Sequence, residues 1–128
     1  KVLEATGDAR KALQGLLHDA SESYTGDIPT PLKCYVPQFQ EIENRIQHAI
    51  YAKHGLPLEM APEVHEADQR ALITERNQFQ PHHSTWAGYE GVQPYPDVLR
   101  VKSHTLAQSE FLLLYTTLCY LVKSKGSV

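Results

Sequence analysis

The chain has 128 residues, 41% of them hydrophobic and 21% charged, which suits one domain with a real core and excludes a disordered tail. A formal net charge of −3, with seven histidines counted neutral, excludes the basic field that holds a polymeric nucleic acid, although a single nucleotide stays open as a ligand. No apolar run reaches the ~20 residues that span a bilayer, and no signal peptide is visible, so no membrane partner is expected.

Strand signals are scarce, and four helices are predicted. The first runs from about Asp8, a good N-cap, to about Ser23, with Ala9, Leu13, Leu16, Leu17 and Ala20 on one side. Gly26 ends it, and Ile28-Pro29-Thr30-Pro31 forces an extended loop, because residues before proline avoid the α region. Spacing of Val36, Phe39, Ile42, Ile46, Ala49 and Ile50 predicts a second helix over roughly Val36–His54, stopped by Gly55. Pro62 opens a third, reaching about Phe79 and carrying Val64, Asp68, Leu72 and Glu75 near one face. Gln80–Val98 is irregular, rich in proline and glycine, and is predicted to be an ordered lid anchored by Trp86 and Tyr89. The last helix, Thr105–Lys123, is the most apolar; its stretch Phe111–Val122 reads as buried, with Tyr115 and Tyr120 in the core or an interface. Cys34 and Cys119, far apart among apolar neighbours, read as buried reduced thiols of a cytoplasmic protein. The predicted architecture is one all-α domain over residues 1–128.

His18-Asp19 carries the chemistry. Within the first predicted helix adjacent residues point about 100° apart, so an imidazole and a carboxylate converge only on something between them. A divalent metal ion accepts both donors. Glu22 lies one turn beyond His18, Asp27 follows closely, and Asp68 stands on the third helix among apolar neighbours, where an unpartnered carboxylate is costly. A metal shared with His18 and Asp19 would neutralise it, leaving Glu22 and Asp27 free to act on a water or a leaving oxygen.

The run His18-Asp19-Ala20-Ser21-Glu22-Ser23-Tyr24-Thr25-Gly26-Asp27-Ile28-Pro29-Thr30-Pro31-Leu32-Lys33 closely resembles the signature of HD-domain phosphohydrolases of the bacterial 5′-deoxynucleotidase type and their phage-borne relatives. Val64-His65-Glu66-Ala67-Asp68 resembles the second motif of that family, and Thr74-Glu75-Arg76 and Trp86-Ala87-Gly88-Tyr89-Glu90-Gly91 resemble further segments of it. The resemblance implies an HD-domain-like helical bundle that hydrolyses (deoxy)nucleotides and holds one divalent ion (Mn, Co, Mg, Zn or Ni). It implies His18, Asp19 and Asp68 as metal ligands and Glu22 and Asp27 as the acidic residues around the scissile phosphate. Lys33 could contact a substrate phosphate or simply be solvated. Glu75 and Arg76 read as ordinary helix charges.

The family's first metal-ligand histidine, on an earlier helix, has no counterpart among the seventeen residues before His18. The chain is therefore expected to be N-terminally shortened, with reduced activity. His65, His82, His83 or His104 could substitute, or a second subunit could cover the exposed surface in a homodimer. The alternative is a non-catalytic HD module that binds a nucleotide or a partner protein.

Overall fold

A computed structural model describes residues 1–80 and 86–125. Among them are seven helices and no strand: α1 (Val2–Thr6), α2 (Ala9–Leu16), α3 (Glu22–Thr25), α4 (Thr30–Lys33), α5 (Pro37–Lys53), α6 (Pro62–Phe79) and α7 (His104–Lys125). The all-α expectation is met.

Asp8 caps α2 as expected: its Oδ1 accepts from the Arg10 and Lys11 backbone N–H groups at 2.8 and 3.3 Å. α2 is the central element, packing against α7, α6 and α1. It contributes Ala9, Ala12 and Leu13 to a core completed by Leu17, Tyr51, Leu56 and Leu118. Gly15 makes the approach possible, since a Cβ there would lie 3.3 Å from Val2 Cγ2 and 3.6 Å from Val64 Cγ1. Gln14 is buried beside it and fully used. Its Nε2 donates to the Pro57 and Glu59 carbonyls at 3.0 and 2.8 Å, and its Oε1 accepts from Ala61 N–H at 2.9 Å. That one amide fastens the loop leading into α6, the helix that carries Asp68.

α5 and α6 lie where the hydrophobic spacing and their flanking residues put them, Pro62 at the start of α6 and Gly55 (φ 63°) just past α5. The first predicted helix does not hold through Ser23. It ends at Leu16, residues 17–21 form a turn, and α3 is a separate single turn.

The burial expected of α7 and of the two cysteines is corrected. α7 buries Leu118 but exposes Leu112, Leu113 and Tyr120, because α2 is the one helix packed extensively on it among the described residues. Residues 104–124 are, by length and composition, apolar enough to cross a membrane, contrary to the expectation that no stretch is; the Leu118 side nevertheless sits in the core with α2. Cys34 is exposed and Cys119 half-buried, both as free thiols.

The described part of the predicted lid runs along α6 as a strap. Arg70 Nε donates to Gln93 O, Tyr95 N–H donates to Thr74 Oγ1, and the Gln78 amide both donates to and accepts from Leu99. Arg70 also stacks over the Tyr95 ring, 4.2 Å from its centroid. Arg70, Thr74 and Gln78 recur every fourth residue, on a different side of α6 from Asp68. None of the described strap residues lines the recesses around His18.

Candidate active site

The turn after α2 turns His18 and Asp19 toward each other. His18 Nδ1 lies 2.8 Å from the Gly15 carbonyl and donates a proton to it, and Nε2 faces the carboxylates. Nε2 lies 3.0 Å from Asp19 Oδ2 and 3.2 Å from Asp68 Oδ1, the latter arriving from α6. All three donors thus share one locus. Asp68 is not buried as the apolar spacing suggested: its side chain is 44% exposed.

The remaining acidic and basic residues group beside this locus. Lys33, on α4, places Nζ 3.7 Å from Asp27 Oδ1 and 3.5 Å from Glu43 Oε1. Glu22 lines the same recess of about 240 Å³ as His18, Asp19, Lys33 and Glu43. On the other side of His18 and Asp19, Leu16, Tyr24, Ile50, His54 and Phe111 line a more apolar hollow of about 540 Å³.

Charge proximity sets the protonation states. The Asp19 carboxylate, then the Gly15 carbonyl and the Asp68 charge, lift the His18 imidazole from 6.5 to about 9 against the opposing effect of burial. His18 in turn lowers Asp19, helped by the Lys33 charge. Glu22 is raised, first by burial and then by the charges of Asp19 and Asp27, which suits a carboxylate that takes up and passes on a proton.

The His18 shift has a measurable consequence for folding. A group whose pKa is higher folded than unfolded stabilises fully below its unfolded value and stops doing so above its folded value. The His18 pair therefore stabilises the metal-free fold below about pH 6.5, and that contribution disappears by about pH 9. Asp19 is 62% exposed, so solvent screening holds the effect to about 1 kcal/mol. Urea unfolding at pH 6 and pH 9.5 should show this difference, and His18→Gln should remove it.

Of the expected substitute histidines, His65 is exposed, with Nε2 3.2 Å from the Gln69 amide, and His104 opens α7; neither lines the His18 recesses. His82 and His83 lie outside the described residues. Two histidines the sequence reading passed over line the hollows instead. His48 lines the smaller, and His54 lines the larger with its Nε2 accepting from the Tyr115 hydroxyl at 2.9 Å. Trp86 packs edge-on to Tyr89 and beneath Arg76, giving Arg76 a packing role. Glu43 and Gln47 were also missed, since mid-helix Glu and Gln are commonplace on a solvated face.

A family model described as 5′-deoxynucleotidase YfbR-like matches residues 3–85, a span holding both the His18-Asp19 turn and Asp68. The chain belongs to the YfbR-like family. The resemblance to HD-domain phosphohydrolases is borne out, and with it an HD-like helical fold. The uncharacterized protein YfdR of Escherichia coli is 40% identical over 82 residues, 63% of this chain and 46% of its own. A 5′-deoxynucleotidase of Photobacterium profundum is 41% identical over 68 residues, and one of Vibrio parahaemolyticus 44% over 59. These cover 53% and 46% of this chain, but 34% and 29% of the relatives, so the chain spans less than half the length of each. No solved structure matches it.

The donor chemistry fits a divalent ion: one imidazole nitrogen and two carboxylate oxygens, with the imidazole oriented through its other nitrogen by a backbone carbonyl, as metal-binding histidines are. Among the described residues no three such side chains stand ready-spaced as a cage. Asp19 and Asp68 are drawn onto the protonated imidazole, whose charge they balance.

Proposed function

We propose that the protein is a metal-dependent phosphohydrolase acting on a small (deoxy)nucleotide. The observation that carries this reading is the approach of Asp19 and Asp68 to the same nitrogen of His18. One divalent ion, of the Mn, Co, Mg, Zn or Ni type, would be held by His18, Asp19 and Asp68. When bound, it supplies Lewis acidity toward a phosphoryl oxygen. Lys33, bracketed by Asp27 and Glu43, presents its ammonium to the phosphate. Glu22 takes a proton from the attacking water as the water oxygen bonds to phosphorus, and that proton passes by way of Asp27 to the leaving oxygen as its bond from phosphorus breaks, releasing phosphate and the remainder of the nucleotide. The hollow beside Tyr24 and Phe111 gives the nucleoside an apolar seat. The exposed side of α7, with Leu112, Leu113 and Tyr120, supports a homodimer, and two free thiols support a cytoplasmic location.

The test is release of phosphate from deoxynucleoside mono- and triphosphates with added Mn²⁺ or Co²⁺. Turnover that a chelator abolishes is the expected result; no turnover with either ion rejects the activity. A second reading, a nucleotide-binding module without catalysis, draws on the engagement of Asp27 with Lys33 and of both aspartates with His18. It requires nucleotides to raise Tm without being hydrolysed.

A further inference from the structure

We infer that Gln47, on α5, is the positioning residue that opens the helix at His18-Asp19 and holds the two side chains in register. In an uninterrupted α-helix the Ser21 N–H would donate to the Leu17 carbonyl, its partner four residues back. The Gln47 amide sits in that bond. Its Nε2 donates to Leu17 O at 2.7 Å, and its Oε1 accepts from Ser21 N–H at 3.1 Å. Both backbone groups stay satisfied while the ladder between them is pried apart, the way an inserted side chain breaks a helix. Leu17 O keeps a tighter local bond from Ala20 N–H at 3.1 Å, which closes the turn.

The residues enclosed by this clamp are His18, Asp19 and Ala20. In a straight helix the first two would diverge by about 100°; in the clamped turn Nε2 and Oδ2 lie 3.0 Å apart. One turn earlier on α5, Glu43 holds Lys33 at 3.5 Å. A single face of α5 therefore organises both the HD turn and the cation beside it. Gln47 lines the smaller recess and acts through the backbone on either side of the ligands.

The inference rests on the reading of His18 and Asp19 as metal ligands, and the two are tested separately. Mn²⁺ affinity of the unaltered protein, by calorimetry, tests the ligand reading. The ratio of that affinity to the variant's tests the clamp. Gln47→Met preserves side-chain bulk and removes both hydrogen bonds. It should change hydrogen exchange at the Ser21 amide about 10-fold or more in the metal-free protein, slower where the ladder recloses on Leu17 O and faster where the turn stays open, and weaken Mn²⁺ binding about 10- to 100-fold, the range seen when an outer partner of a metal ligand is removed. Gln47→Asn, whose amide is one methylene too short to reach both partners, serves if Gln47→Met fails to fold. Unchanged Ser21 exchange, or Mn²⁺ binding within 2-fold of the unaltered protein, overturns the inference. Unaltered protein that binds no Mn²⁺ overturns the ligand reading and the positioning role with it.

Discussion

Asp68→Ala is expected to lower Mn²⁺ or Co²⁺ affinity more than ~100-fold and to cut phosphate release about 1000-fold, with little change in stability. Losing a direct ligand should exceed the ~10–100-fold cost of losing an outer partner. Folding should be spared because the side chain is 44% exposed and leaves no cavity, so the change in stability should stay within about 0.5 kcal/mol. The metal-free His18 should still titrate well above its ordinary range, since Asp19 is the main cause of its elevation. Calorimetric metal titration, a phosphate assay, urea unfolding and histidine NMR read the four quantities independently. A variant that binds metal and turns over normally would remove Asp68 from the site.

Leu13→Ala should have the largest effect on stability. Leu13 is 1% exposed at the centre of α2, in the cluster that joins it to Tyr51, Leu56 and Leu118. Truncating a fully enclosed leucine loses transfer energy and leaves a cavity, at a cost of about 3 kcal/mol, or a drop in Tm of roughly 10 °C. Leu113→Ala, 71% exposed on α7, should change stability by less than about 0.5 kcal/mol despite deleting the same atoms. Urea denaturation of the pair, with unchanged slope, separates them. Equal losses would mean that the exposed side of α7 is covered in solution.

What could be read from the chain divides along the range of the interactions. α5 and α6 were legible because their ends are marked locally, by Pro62 and Gly55, and their apolar spacing is regular. His18, Asp19 and Asp68 were legible through the family signature, and the structure brings them together. The break at residues 17–21 was not, because nothing in Leu16-Leu17-His18-Asp19-Ala20 refuses a helix; the cause is an amide thirty residues away in sequence. Lid and strap look alike as text: the proline-rich segment is irregular either way, and Arg70, Thr74 and Gln78 decide where it lies. Burial of α7 was overestimated because an apolar composition records what a helix can bury, not what packs against it.

The proposal that His18 and its two aspartates share an ion is tested most directly by proton NMR of the protein with added Co²⁺. Because His18 Nδ1–H is tied to the Gly15 carbonyl, coordination through Nε2 should leave that proton slow to exchange and paramagnetically shifted. The expected result is one shifted, exchangeable imidazole signal that is lost in His18→Ala and in Asp68→Ala. No shifted imidazole signal at saturating Co²⁺, or one that survives His18→Ala, would contradict it.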